Sequence, residues 1–154
     1  MSRPPELTPL ERSYRRAYPV GLALCLAWPL ALQLMLGTTI RRIALAPPEG
    51  VIQQLGYTFT GLTVAIALFI TWRWGRIKTA FKGLRPERQG TVLTREILLY
   101  SALMEFTSLF GVLYFALGGP KADQYARGFL ALTTIMFFVF VPRLQAWRSA
   151  ARGE

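Results

Sequence analysis

Histidine is absent from this chain, and cysteine occurs once, as Cys25. The first absence removes the commonest metal ligand, haem ligand and general base. The second excludes an internal disulfide and a thiolate metal site. Acidic residues are scarce too: 8 Asp and Glu stand against 18 Lys and Arg, for a net charge of +10. The chain carries no paired catalytic carboxylates, no nucleophile–base constellation and no phosphate-cradling glycine loop. No metal site and no cofactor is therefore expected, and the sequence does not read as an enzyme. The nearest thing to an acidic pair, Glu87 and Glu96, reads as part of a solvated loop with local salt bridges.

Charge is missing altogether from long stretches. Hydrophobic residues make up 53% of the chain, and the mean hydropathy is +0.33. A transmembrane helix needs roughly 20 mostly apolar residues. Four windows qualify, at about residues 19–37, 54–72, 97–118 and 128–147. Their faces are too uniformly apolar for the surface helices of a soluble domain. The expected fold is an all-α membrane protein of four transmembrane helices. Residues 1–18 form a cytoplasmic or interfacial segment, residues 73–96 a cytoplasmic loop that continues as helix past the membrane surface, and residues 148–154 a tail.

Basic residues set the orientation. Fourteen of the 18 Lys and Arg lie before the first window, between the second and third, or beyond Val141; Arg41, Arg42, Lys121 and Arg127 are the rest. Positive charge is retained on the cytoplasmic side, so both termini and the second loop are expected there, in the cell (inner) membrane. The same placement accounts for the net charge without a nucleic-acid partner. Basic residues at membrane ends orient helices and meet anionic lipid. Arg73, Arg76, Lys78, Lys82, Arg85 and Arg88 form the expected docking surface for other membrane subunits or anionic lipids. No small-residue cleavage site follows Gly37, so the first window reads as an uncleaved span.

Local signals refine the ends. Thr8-Pro9-Leu10-Glu11 has the pattern of a capping box with proline at the first helical position. Leu10, Tyr14 and Tyr18 then share a face, as in a short helix lying in the membrane interface. Pro47-Pro48 marks an outer loop, and Gly118-Gly119-Pro120 the end of the third helix. Tyr18, Trp72, Trp74, Tyr125 and Trp147 read as interfacial anchors.

Against this apolar background stands Glu105, the only charged residue between Ile97 and Leu117. An acid at the centre of a membrane helix costs about 2.5–3.5 kcal/mol by insertion scales, and such residues are functional candidates by default. Ser101 and Ser108 lie on its face of the helix. Thr63, near the middle of the second window, matches its depth; Thr133, Thr134 and Gln33 match it less well. No cation of this chain is expected at that depth. The acid is then neutralised by a proton or met by a cation from a partner subunit. It is either an ion- or proton-handling group or a structural one bonded to a neighbouring helix.

The stretch Lys82-Gly83-Leu84-Arg85-Pro86-Glu87, followed by residues 97–117, resembles the helical hairpin of the rotary ATP synthase c subunit, the proteolipid family. That family carries Arg-Gln-Pro in a cytoplasmic loop, then a membrane-embedded carboxylate, then a glycine. Here Arg85-Pro86, Glu105 and Gly111 stand at matching intervals. The resemblance covers about 35 residues and implies that Glu105 carries a proton or sodium ion, with Arg85 to Arg88 facing a stalk. The glutamine of the loop and the glycine repeat of the inner helix are absent. The basic loop and third-helix acid are also similar to those of the small four-helix accessory protein of c-ring assembly. Together these features give the expectation of a small subunit of a larger, energy-coupling membrane complex.

Overall fold

The computed structural model describes residues 8–38 and 49–153. Arg3, Arg41, Arg42 and the loop expected at Pro47-Pro48 lie outside them. The described residues are almost all helical, without a strand among them. The elements are α1 (Pro9–Thr38), α2 (Glu49–Phe81), α3 (Pro86–Gly118), a 3-10 turn (Gly119–Ala122), α4 (Asp123–Phe140) and α5 (Leu144–Arg152). Three helical stretches are long and apolar enough to cross a membrane: Pro9–Leu36, Gly50–Phe81 and Pro86–Arg152. The last of these contains the α3–α4 hairpin and α5.

The boundaries follow local chemistry. At the start of α1 the Thr8 amide donates to Glu11 Oε2 and the Glu11 amide donates to Thr8 Oγ1, each at 3.3 Å. This is the reciprocal capping box the sequence announces. Arg148 of α5 also bonds Glu11, tying the C-terminal helix to the start of α1. Residues 9–18 are not a separate helix; they are the first turns of α1. Leu10 and Ala17 are buried, with Tyr14 and Tyr18 packed against the same cluster. This face is turned into the protein, a correction to its reading as an interfacial helix.

The expected loop at 73–96 shrinks to residues 82–85. α2 runs on to Phe81, and Pro86 opens α3 at the position where its missing N–H is no loss. α3 closes on Gly119, whose φ of 62° needs glycine. The fourth window is shifted. α4 begins at Asp123 rather than near residue 128 and ends at Phe140, because Pro142 biases Val141 out of the helical region. Trp147 therefore belongs to α5. It is fully buried between Trp74 and Phe81, at 4.7 and 5.0 Å between ring centroids. Tyr18 packs on Phe137 at 5.2 Å. Neither is an exposed anchor, whereas Trp72 and Tyr125 are exposed.

α3 is the central helix; it packs most extensively on α1, then α4, then α2. α1 runs parallel to it, with Ser13 against Gly90 and Cys25 against Ser101. α2 and α4 run antiparallel to it: Arg73 meets Glu96 while Phe59 meets Phe110, and Met136 meets Thr107 while Ala126 meets Gly111. Glycine permits the closest approaches. A Cβ at Gly111 would stand 2.7 Å from the Ala126 carbonyl oxygen. α2 is peripheral: 11% of its apolar stretch is buried, against 28% for α1.

Candidate functional site

α1, α3 and α4 converge around a band of small polar side chains in the middle of the apolar bundle. The band forms because serine and threonine satisfy their hydroxyls within a helix or across to the next one. Ser101 Oγ donates to the Ile97 carbonyl at 2.9 Å, and Ser108 Oγ donates to Thr133 Oγ1 at 2.8 Å. Thr133 Oγ1 is also 3.3 Å from the Phe129 carbonyl. Cys25 Sγ donates to the Ser101 carbonyl at 3.6 Å.

Pro29 makes its own contribution. It lies inside α1 and has no N–H to give the carbonyl four residues back, which is that of Cys25. Thr134 Oγ1 of α4 donates to that carbonyl at 2.6 Å. A break in the α1 ladder is thus repaired from α4, at the level of the polar band.

Glu105 lies in this band. Both its carboxyl oxygens are buried, and neither has a hydrogen-bond partner among the described residues. No Lys or Arg pairs with it among those residues. Cys25 and Ser108 are the polar side chains beside the carboxyl. Both are within reach of it, while Cys25 also bonds the Ser101 carbonyl and Ser108 also bonds Thr133. A carboxylate can only accept hydrogen bonds, whereas a carboxylic acid also donates one. A thiol, a hydroxyl and no cation stand beside the carboxyl, surroundings that suit an acid carrying its proton.

Thr63 does not belong to the site, a correction to its choice by depth. It is buried on α2 and donates to the Phe59 carbonyl at 2.9 Å. α2 meets α3 at Phe110 and Tyr114. At roughly 100° per residue, those positions lie about 140° and 180° around α3 from Glu105. Thr133 and Thr134, read as poorly matched in depth, are in the band. Ser101 and Ser108 are there as expected.

A second ionic site escaped the sequence reading. Glu96 is 1% exposed and not a solvated loop residue. Arg73 grips it with two bonds, Nε to Oε2 at 2.6 Å and Nη2 to Oε1 at 2.7 Å. Arg95 approaches the same carboxylate at 3.5 Å from an exposed position. Arg73 is thereby removed from the expected docking surface. Its neighbours stay on it: Arg76, Lys78, Lys82, Arg85 and Arg88 are exposed around the α2–α3 turn. Arg76 lies over the Trp72 ring at 5.3 Å.

Compared with protein-family models, curated proteins and solved structures, the chain matches none of them.

Proposed function

We propose that this chain is a small, non-catalytic integral membrane subunit of a larger energy-coupling complex, and that Glu105 is its proton-binding group. In this reading α1 to α4 each cross the cell membrane. The N-terminus, the α2–α3 turn and α5 then lie in the cytoplasm. The alternation of helix directions and the concentration of Lys and Arg at one end support that topology.

The observation that carries the proposal is the Glu105 carboxyl. Its two oxygens are buried beside Cys25 of α1 and Ser108 of its own helix, with no countercharge among the described residues. Acids in membrane helices are expensive to place and mark ion or proton pathways. The peripheral α2, with most of its apolar stretch uncovered, favours a chain that packs against other subunits. The c-subunit-like reading is favoured by one feature: Arg85-Pro86 opens the helix that carries Glu105 and Gly111. A ring of such hairpins would need the Glu105 side of α3 bare, and here Cys25 of α1 lies against the carboxyl. The accessory role is therefore the one we favour, with assembly of a c-ring-like partner as its c-subunit-related form.

Carbodiimide labelling in native membranes tests the site. A lipid-soluble carbodiimide is expected to modify Glu105 and to leave Glu105→Gln unmodified at that position. A charged, water-soluble carbodiimide is expected to modify neither. Equal modification of Glu105 by the water-soluble reagent would place the carboxyl in water and end the proposal.

A further inference from the structure

One end of the bundle extends past its apolar surface. The first turns of α1, the last turns of α2, the first turns of α3 and the whole of α5 make up this head. On α2 the exposed apolar run closes at Trp72, yet the helix continues to Phe81. At 1.5 Å per residue, Lys82 stands about 15 Å beyond Trp72. Glu96 of α3 is level with Arg73, so Arg88 stands about 12 Å beyond that level. Ser13 meets Gly90, which puts Arg12 of α1 at a similar height. Arg73 bonds Glu96 twice, Arg148 bonds Glu11, and Trp147 packs on Trp74 and Phe81. The head is therefore preformed, and a partner would spend little on ordering it.

Height divides the basic residues into two sets. The headgroup layer on each side of a bilayer is about 5–8 Å thick. Arg76 and Lys78 stand about 6 and 9 Å beyond Trp72, and Arg76 lies back over the Trp72 ring. These two are at the level of lipid headgroups. Arg12, Arg85 and Arg88 are beyond it, at the tip of the head, exposed and without an ion pair among the described residues. Lys82 is also exposed but lies against Gly153 at the end of α5. Among the described residues Glu87 is the one exposed acid at that height, since Glu11 is held by Arg148. No large apolar side chain of the described head is exposed; Phe81 and Trp147 are buried. The tip thus lacks both an apolar contact patch and the open rings on which single-stranded nucleic acid stacks. It offers guanidinium groups, each able to grip a carboxylate with two bonds.

We propose that Arg12, Arg85 and Arg88 dock an Asp- and Glu-rich segment of an extramembrane partner subunit, and that lipid headgroups are left to Arg76 and Lys78. Docking of this kind rests on the membrane-subunit reading above and is independent of Glu105.

Two double variants that remove equal charge separate the two heights. The full chain in phosphatidylcholine nanodiscs is titrated with a fluorescent hexaglutamate peptide, and binding is read by anisotropy. The wild type is expected to bind, more weakly as salt is raised. Arg85→Gln with Arg88→Gln is expected to weaken binding roughly tenfold, the effect of losing two exposed charge pairs. Arg76→Gln with Lys78→Gln should stay within about twofold of the wild type, because salt screens charges that lie nearer the membrane than the peptide does. All four positions are exposed, so unfolding temperatures should match the wild type. Spin-labelled phosphatidylglycerol added to the nanodiscs should show the reverse order, its enrichment around the chain falling only in the Arg76 and Lys78 variant. Absence of hexaglutamate binding, or an equal loss in both variants, overturns the proposal. So does a fall in phosphatidylglycerol enrichment in the Arg85 and Arg88 variant, which would put those charges among the headgroups. A chain that stays in solution without detergent or lipid would overturn the membrane reading, and with it the division by height.

Discussion

Glu96→Ala is expected to destabilise the protein by about 1–3 kcal/mol, the cost of losing bonds to a charged group and leaving a partly buried one without its partner. Arg73 reaches Glu96 across the α2–α3 interface with two short bonds, and the Glu96 side chain is 1% exposed. Removal of the carboxylate strands a guanidinium with one quarter of its side chain exposed. The geometry permits a sharper statement. Replacing both residues with apolar ones, Arg73→Met with Glu96→Leu, should restore most of the loss, because a well-packed apolar pair often matches a buried ion pair in stability. Cys25 gives a convenient readout. It is the only thiol in the chain and is fully buried in the core. Its alkylation rate in detergent should rise steeply in Glu96→Ala and return towards wild type in the double variant. A wild-type rate in Glu96→Ala would show that the pair contributes nothing.

Gly111→Val should separate α3 from α4. The Cβ alone would meet the Ala126 carbonyl oxygen at 2.7 Å and Phe129 Cβ at 3.0 Å. Both are parts of the α4 backbone or fixed to it, so no side-chain rotation relieves the clash. Overpacking of this kind costs about 1–3 kcal/mol. Because Ser108 and Thr133 are close by, the polar band around Glu105 should loosen as well. Gly128→Ala is the matching control, since its Cβ would meet nothing within 4 Å. Thermal unfolding in detergent should show a lower midpoint for Gly111→Val and an unchanged one for Gly128→Ala. Equal midpoints for the two variants would mean that α3 and α4 do not approach each other this closely.

Helices were the most legible part of the sequence, and depth was more legible than direction. Arg73 and Glu96 share one midpoint with Phe59 and Phe110, and it falls within the α2–α3 turn. Placing that turn at residues 82–85 makes both pairs level in an antiparallel hairpin. Reading residues 73–96 as one loop hid this, and Glu96 passed for a solvated residue. Thr63 is level with Glu105 by the same rule, yet it lies on a helix that packs on the other side of α3. Spacing sets height along an axis; only packing decides which neighbour covers which face. The error over Thr133 and Thr134 came from the turn at Gly119–Ala122. It is tight, so α4 starts at Asp123 and brings both threonines to the level of the acid. Proline played both parts: Pro142 marks the end of α4, while Pro29 passes within α1 because Thr134 takes over the carbonyl it frees.

The isolated chain, reconstituted in lipid bilayers at neutral pH, offers the most direct test of the claim about Glu105. Infrared spectra of the wild type and of Glu105→Gln would be subtracted. Loss of the carbonyl stretch of a neutral carboxylic acid, with no change in the carboxylate bands, is the predicted difference. Loss of carboxylate absorption instead would mean that the group is ionised where nothing in its own chain can balance it, and would contradict the account.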